Sequence, residues 1–382
     1  MGLGAGPEST QSAEKATILV SSGEFASSRV HGTVAVYAKP DTIAAKFLEG
    51  RLITKSHDPD LRQIKSIEWL KKCQSSHERC GGTLPQLMPT RIIDLRDPKA
   101  QGRIRLKVNT GQHDRYLALS YSWGLGLRHN VKLKRETLEP YQDYIPEQLM
   151  TRSHQEALRI TRELGYRYLW IDALCIIQGD TMDWEAEACK IAQVYSNAEL
   201  TIVAGRSDDS AKGFLQLIEE PLLPPQPIPY HRPKLQAAGL RRFGKCFLAL
   251  NRSIRSGPVD ERAWCFQESV LSRRMIVYGM QQLSFKCREI CSYEDGSYIR
   301  YKWSDGGRYD LSSPLVGQGF SQEDILSRWY QLTQEYSYRD VYDPTDNFAA
   351  LAGVALRFHD ALKSAQDDEA GQGKWNKHLA QM

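Results

Sequence analysis

The stretch from Tyr168 to Ala204, YLWIDALCIIQGDTMDWEAEACKIAQVYSNAELTIVA, decides the fold of this 382-residue chain. Residues 168–171 are all apolar or aromatic, which is typical of a strand covered on both faces. Asp183 is the predicted N-cap of a helix whose apolar face carries Trp184, Ala188, Ile191 and Tyr195. Residues 200–204 are again rich in β-formers. Strand, helix and strand in this order predict two parallel strands joined by a helical crossover.

The residues before this stretch extend the same pattern. The apolar run at 117–122 predicts a strand, and residues 153–164 predict a helix that Gly165 ends. With strands at 168–172 and 200–204 and a helix at 183–196, the order is βαβαβ. We therefore predict an α/β fold with a parallel sheet core flanked by helices. Polar side chains would collect at the strand ends, where such sheets bind ligands.

Further elements are predicted on both sides of this core. They are strands at 33–37, 91–95, 104–108 and 275–278, and helices at 64–73, 260–271, 325–336 and 348–358. The six prolines within 221–233 predict a loop, because proline interrupts regular structure. We expect three parts, namely a partly disordered N-terminal segment (1–60), a core domain (61–275, with the Pro-rich loop 221–233) and a C-terminal extension packed on the core (276–382, with a frayed tail at 363–382).

Composition excludes several classes of protein. Charged residues at 25% and apolar residues at 41% are ordinary globular values, so wholesale disorder is not expected. A net charge of +4 gives no argument for nucleic-acid binding. No apolar run reaches the length of a membrane span and no secretory signal opens the sequence, so we predict no membrane partner. Eight cysteines in such a chain indicate reduced thiols and a cytoplasmic location.

Three potential metal ligands lie close together in sequence at Cys73, His77 and Cys80. A structural zinc ion requires four ligands, and no second close pair follows at zinc-finger spacing. Cys287 and Cys291 could complete a site only if the fold brought them to the first three. A buried cysteine cluster is the simpler interpretation, so we predict no metal and keep the three residues as weak candidates.

Three sequence blocks together point to a family. They are LALSYSWG (117–124), YLWIDALCIIQGD with DWEAEACKIAQVYSNAELTIVA (168–204), and RAWCFQESVLSRR (262–274). In this order they resemble the HET (heterokaryon incompatibility) domain of filamentous fungi, which carries ALSYxWG, WIDxLCIxQ and RxWxxQExxLSxR blocks. The CxxxHxxC segment from Cys73, PTRIIDL at 89–95 and the segment 336–355 also look like parts of such proteins.

The resemblance implies a role in nonself recognition, in which hyphal fusion between unlike strains triggers growth arrest and cell death. It also implies distant similarity to TIR domains, hence a TIR/flavodoxin-like parallel sheet with additional C-terminal helices and strands. TIR domains either scaffold signalling assemblies or cleave NAD. The implied partners are other incompatibility-locus proteins or further copies of this chain. No cofactor is implied with certainty, and NAD is a candidate substrate.

Two carboxylates are candidate catalytic groups. Asp172 ends a hydrophobic strand, where a charge is unfavourable unless it is paired or solvated at a crevice. Glu187 lies at the margin of a helix face and could point into that crevice as an acid, a base or a ribose-binding group. The alternative for Glu187 is a surface pair with Lys190, and the alternative for Asp172 is a turn cap. Glu187 is the preferred candidate.

Ligand-binding candidates lie beside these carboxylates. Residues at the end of the 117–122 strand could approach phosphate oxygens, Gln178 could bind an amide or tie down its loop, and Arg262 could clamp an anion. Trp264 could stack on a base, although Arg262 and Glu268 could equally form a structural bracket, which we favour. The full set is Ser120, Tyr121, Ser122, Trp123, Gly124, Gln178, Arg262, Trp264, Gln267 and Glu268.

We therefore predict a HET-domain protein that acts in heterokaryon incompatibility as a signalling or effector module. One alternative is a TIR-like glycohydrolase that cleaves NAD or another nucleotide, with Glu187 or Asp172 stabilising the ribosyl cation. Another is an accessory protein that has lost the death function. The enzyme hypothesis requires Asp172, Glu187 and Arg262 to converge in one pocket.

Overall fold

The computed structural model describes residues 17–20, 32–39, 42–48, 50–51, 59–96, 103–124, 131–215, 225–231, 243–250, 257–280, 282–300 and 321–371. The predictions for residues 1–16 and for the tail beyond residue 371 lie outside these ranges. In the described part, no helix is long and apolar enough to cross a membrane.

The described residues contain runs of strands as well as strands that alternate with helices. The strands are β1 (Thr17–Val20), β2 (Gly32–Tyr37), β3 (Gln86–Leu87), β4 (Arg91–Asp94), β5 (Arg105–Val108), β6 (His113–Asp114), β7 (Tyr116–Ser120), β8 (Tyr168–Trp170), β9 (Leu200–Val203), β10 (Gln226–His231), β11 (Phe243–Leu250), β12 (Arg274–Tyr278), β13 (Leu283–Cys287), β14 (Ile290–Tyr293) and β15 (Tyr298–Arg300). The α-helices are α1 (Pro59–Ser76), α2 (Leu138–Asp143), α3 (Arg152–Glu163), α4 (Asp172–Cys175), α5 (Thr181–Ala188), α6 (Ile191–Asn197), α7 (Ala263–Leu271), α8 (Gln322–Tyr336) and α9 (Asp346–Gly371).

Within the described residues, the main sheet has nine strands in the order β15-β14-β13-β12-β9-β7-β8-β4-β5. The four central strands, β12, β9, β7 and β8, are parallel, and antiparallel strands extend the sheet on both sides. Across the sheet these strands lie in the order β8, β7, β9, β12. In chain order they are the second, first, third and fourth parallel strands, which is the flavodoxin-like order. The predicted α/β fold, with a parallel core flanked by helices, is confirmed.

Strands β8 and β9, which the opening stretch joins, run parallel as predicted but are not neighbours. Strand β7 lies between them and pairs with both. All five residues of β7 are buried, so this strand forms the centre of the core. The order of the strands reverses between β7 and β9, and flavodoxin-like sheets bind ligands in the crevice at that reversal.

The predicted helix over 183–196 is two helices, α5 and α6, which separate at residues 189–190. The N-cap of α5 is Asp180, which accepts a hydrogen bond from the backbone amide of Asp183. The prediction of Asp183 as N-cap was wrong because its carboxylate has other partners. It accepts two hydrogen bonds from Arg91, at 2.6 and 2.8 Å, and one from the Ile177 amide.

The Pro-rich segment contains a strand where a loop was predicted. Strand β10 pairs with β11 at the edge of a four-stranded antiparallel sheet ordered β1-β2-β11-β10. Pro227 and Pro229 occupy alternate positions of β10 and both are exposed. Alternate residues of an antiparallel strand direct their backbone groups to the same side. The backbone nitrogens of Pro227 and Pro229, which carry no hydrogen, can therefore both face the unpaired edge of the sheet, where proline is tolerated.

Helices α8 and α9 follow the sheet strands and cover α7. Helix α9 continues to Gly371, past its predicted end at residue 358 and through the first part of the predicted polar tail. Trp264 of α7 donates to Asp346 of α9 at 3.0 Å, and the Gly353 amide donates to Gln267 at 2.7 Å. The division of the chain into three parts stays a prediction, and β13–β15 continue the same sheet as the core strands.

Candidate functional site

A group of ionisable side chains gathers at the carboxyl ends of β7 and β8, against α7. We call it the strand-end cluster. It consists of Ser120, Tyr121, Asp172, Tyr195, Arg262, Cys265 and Glu268. The cluster forms because β7 and β8 are parallel and end at the same edge of the sheet, so residues that directly follow them lie close together.

Asp172 holds one side of the cluster. Its Oδ1 accepts a hydrogen bond from the Tyr121 hydroxyl at 2.8 Å, and its Oδ2 accepts one from Trp123 Nε1 at 2.7 Å. The Ala173 amide also donates to Oδ1, at 2.6 Å. Both carboxylate oxygens are therefore fixed, and the side chain ties the end of β7 to the turn after β8.

Arg262 supplies the positive charge. It lies directly before α7 and donates from a guanidinium nitrogen to the Tyr121 carbonyl oxygen at 2.6 Å. Burial alone would lower the pKa of Arg262, but the neighbouring Cys265, Glu268 and Asp172 outweigh it and raise the pKa. The guanidinium therefore stays charged within the cluster.

Glu268 is the most perturbed carboxyl group of the cluster. Burial raises its pKa to about 7, and the charge of Asp172 adds to the shift, whereas Ser120, Arg262 and Tyr195 counteract it. Its Oε2 atom is buried and accepts no hydrogen bond from the residues that the structure describes, whereas Ser120 and Tyr195 lie near the carboxyl group and favour its charged form. A carboxyl group that titrates near neutrality can both take up and release a proton, so Glu268 has the chemistry of a general acid or base.

The loop after β9 lies against the loop after β7. Gly124 has φ +91°, and a Cβ atom there would come within 2.6 Å of the Asp209 carboxyl carbon. Ser210 donates from its hydroxyl to the Trp123 carbonyl oxygen at 3.2 Å. Ser122, Trp123 and Gly124 remain partly exposed. This loop pair places the strand-end cluster next to the reversal of strand order between β7 and β9.

Glu187 has a different set of partners. It is buried, with its Oε1 atom 2.9 Å from Lys190 Nζ and 3.8 Å from a guanidinium nitrogen of Arg91. It lines a cleft of about 240 Å³ together with Leu87, Met88, Thr90, Asn109, Tyr116 and Lys190. The structure thus brings Asp172 and Arg262 together on Tyr121 and gives Glu187 partners outside the strand-end cluster.

The other predicted residues divide between the cluster and structural contacts. Gln178 donates to the Ile176 carbonyl oxygen at 2.9 Å and ties down its turn. Trp264 and Gln267 contact α9, so of the four candidates around α7 only Arg262 and Glu268 face the cluster. Burial raises the pKa of the Cys175 thiol to about 12, so this thiol stays neutral and packs in the core.

Three residues at the site were not predicted. Tyr195 donates to the Leu119 carbonyl oxygen at 2.9 Å, and His154 is fully buried with its ring 5.0 Å from that of Tyr121. Burial raises the pKa of the Cys265 thiol to about 12, so this group stays neutral. The spacing of positions 262, 265 and 268, three residues apart, could have revealed Cys265 as lying on the same helix side.

A flavodoxin-like sheet with an ionisable cluster at its strand ends defines an α/β protein with a candidate ligand site at the strand-order reversal. Residues 116–268 match the family model described as Heterokaryon incompatibility protein (HET), an interval that begins with β7 and ends at Glu268. The chain is therefore similar to HET domains over residues 116–268, and the whole strand-end cluster lies within that interval.

One relative shows the same similarity. The chain is 36% identical over 113 residues to Heterokaryon incompatibility protein 6, OR allele, of Neurospora crassa. The alignment covers 28% of this chain and 16% of that protein. The matched part of the chain thus corresponds to about a sixth of its relative's length. No solved structure matches the chain.

Proposed function

We propose that this protein acts in heterokaryon incompatibility, as an effector module that arrests growth and kills cells after nonself contact. The HET family match and the incompatibility relative support this role. The observation that carries it furthest is the strand-end cluster, because the partly exposed charged groups Asp172, Arg262 and Glu268 meet there beside the strand-order reversal, where sheets of this kind bind ligands. The proposed partners are other incompatibility-locus proteins or further copies of this chain, and the proposed location is the cytoplasm.

Inducible expression in a filamentous fungus tests this role. The wild-type chain should arrest growth, and Glu268→Gln should relieve the arrest because it removes the titratable carboxyl group. Glu187→Gln is the matched control, since it neutralises a buried glutamate outside the cluster. Each protein level is measured by immunoblot. Normal growth with abundant wild-type protein would contradict the proposal and favour an accessory protein without the death function.

A second candidate is cleavage of the glycosidic bond of NAD or a related nucleotide. The specific observation in its favour is the pKa of Glu268, about 7, beside the positive charge of Arg262. We infer that Arg262 would bind a phosphate group of the substrate and that Glu268 would face the ribose. The C1′–N bond would break with its electron pair leaving on nicotinamide, and water would add to C1′ and lose a proton to the carboxylate.

Nicotinamide release from NAD by the purified chain tests the enzyme hypothesis. Glu268→Gln should reduce the rate at least about 100-fold, as is usual when a general acid or base is removed. Glu187→Gln should retain most of the rate of nicotinamide release. Equal losses in both variants would mean that Glu187 also takes part in the reaction. If the concentrated wild-type chain releases no nicotinamide but still arrests growth, the signalling role stands and the enzyme hypothesis is wrong.

A further inference from the structure

Four potential metal ligands from distant parts of the chain meet inside the protein. They are Cys73, His77, Cys80 and Cys287, and their ligand atoms all lie within 4.8 Å of one another. All four residues are buried. The Nδ1 atom of His77 is 3.3 Å from the Sγ atom of Cys287. Cys287 is the fourth ligand that the sequence spacing alone did not supply.

Local backbone structure brings the first three together. Cys73 lies near the end of α1, and its carbonyl oxygen accepts a hydrogen bond from the His77 amide. A 3₁₀-helix follows at Glu78–Cys80, where the Cys80 amide donates to the His77 carbonyl oxygen. These two turns place the ligand atoms of Cys73, His77 and Cys80 on the same side of the chain.

The hairpin between β13 and β14 delivers the fourth ligand. Cys287 is the last residue of β13. The backbone amide of Arg79 donates to the Glu289 carboxylate at 2.9 Å, which holds the hairpin against the 3₁₀-helix. A contact between residues that are not themselves ligands thus holds the four ligands in place, as expected of a metal site that the fold positions.

The charges around the cluster suit a cation bound by thiolates. Three thiolates and one neutral imidazole around Zn²⁺ carry a net charge of −1. Arg274 is fully buried, and its Nε atom donates to Cys73 Sγ at 3.2 Å, while its Nη2 atom donates to the carbonyl oxygens of both Cys80 and Gly81. The Nη1 atom of Arg274 lies 3.2 Å from Glu199 Oε1, and Arg273 lies 3.7 Å from Glu199 Oε2, so the two arginines together offset Glu199 and the excess charge of the site. Arg274 also orients a ligand, a role that outer-shell groups have in metal sites.

We propose that Cys73, His77, Cys80 and Cys287 bind one structural zinc ion. Three sulfur ligands and one nitrogen ligand are the chemistry of a tetrahedral zinc site, in which ligand atoms lie about 3.5–3.8 Å apart. Four protein ligands leave no open position, so the ion stabilises the fold and takes no part in chemistry. Because the matched HET domain spans residues 116–268, the zinc ion links segments that precede and follow it.

Metal analysis of the full-length chain tests this proposal. The wild-type protein, purified without chelator, should contain about one zinc ion per chain, and Cys287→Ser should contain less than about a tenth of that. Cys291→Ser is the matched control, because it removes a buried thiol of the same hairpin that is outside the four-residue set. His77→Cys should keep the zinc, since four thiolates also bind it.

A variant that fails to fold would not leave the question open, because the wild-type chain gives two independent measurements. Cobalt exchanged for zinc should produce the visible absorption of a tetrahedral thiolate site, and a mercurial thiol reagent should release zinc as it reacts. Folded wild-type protein with less than about a tenth of an equivalent of zinc would overturn the proposal, as would iron in its place. Zinc retained in Cys287→Ser would overturn the ligand assignment.

Discussion

Glu187 and Glu268 are both carboxyl groups beside an arginine, but Glu187 is a buried residue whereas Glu268 is partly exposed, with one buried oxygen atom, and their neighbours differ. Glu187 lies against two cations, Arg91 and Lys190. Glu268 has an oxygen atom that accepts no hydrogen bond within the described part of the chain, and its pKa is raised to about 7. The comparison indicates that two cations pair with the Glu187 carboxylate, whereas burial keeps the pKa of Glu268 near neutrality, where the group can exchange a proton. Helical spacing alone favoured Glu187, but the surroundings favour Glu268.

Removal of Arg91 should have the largest effect on stability. Its guanidinium is the partner of Asp183 at 2.6 Å and also lies near Glu187, so Arg91→Ala leaves two largely buried carboxylates without this cation. We expect a loss of about 3–5 kcal/mol in the free energy of unfolding, measured by urea titration. Arg159→Ala, which breaks an exposed pair with Glu163, is the control and should cost less than about 1 kcal/mol. Similar losses in both variants would contradict a structural role for the Glu187 region.

Asp172→Ala should come next. The change removes the acceptor of the hydrogen bonds from Tyr121 and Trp123, and we expect a loss of about 2–3 kcal/mol. Adding Tyr121→Phe to this variant should cost less than the same change in the wild-type chain. Additive losses in this double-mutant cycle, followed by thermal unfolding, would show that the Tyr121–Asp172 contact carries no energy.

Glu268→Gln should stabilise the protein in a pH-dependent way. A raised carboxyl pKa means that the folded state binds the proton more tightly, so the wild-type chain loses stability as the pH rises from about 4.5 to about 7. Above pH 7 the variant should be more stable by about 1–3 kcal/mol, and near pH 4 the two should agree. Glu185→Gln, on the exposed side of α5, controls for the lost charge. A difference that does not vary with pH would contradict the raised pKa.

Lys190→Ala should have the smallest effect. Lys190 is about half exposed and donates to Glu187 and to Thr90, each at 2.9 Å. Because solvent screens such a pair, we expect a loss below about 1 kcal/mol by thermal unfolding. A loss greater than about 2 kcal/mol would mean that solvent does not screen the Lys190–Glu187 pair in this way.

The fold could be predicted from sequence wherever side-chain pattern determines structure directly. Buried runs identified β7, β8 and β9, and their alternation with helices gave the parallel core. Strand order could not follow from pattern, because nothing in the sequence requires β7 to lie between β8 and β9. Strand β10 was not predicted because its prolines indicated a loop. Proline is tolerated in an edge strand, and the sequence does not show that this segment lies at a sheet edge.

The site was predictable in part for the same reason. Ser120, Tyr121 and Asp172 follow two parallel strands, so their proximity is a consequence of the fold. Sequence analysis ranked Glu187 above Glu268, but such a ranking depends on which cations pack against each carboxylate, and helical spacing does not show this. Cys287 could not be joined to Cys73, His77 and Cys80, since more than two hundred residues separate it from Cys80 and only the hairpin position connects them.

The contact between α7 and α9 has a practical consequence for work on this protein. The family match ends at Glu268, inside α7 (Ala263–Leu271) and before β12, the strand that pairs with β9. A recombinant fragment cut there would expose the edge of β9 and the side of α7 that Trp264 and Gln267 attach to α9. Unpaired strand edges template aggregation. Expression, mutagenesis and toxicity assays should therefore keep the chain through α9.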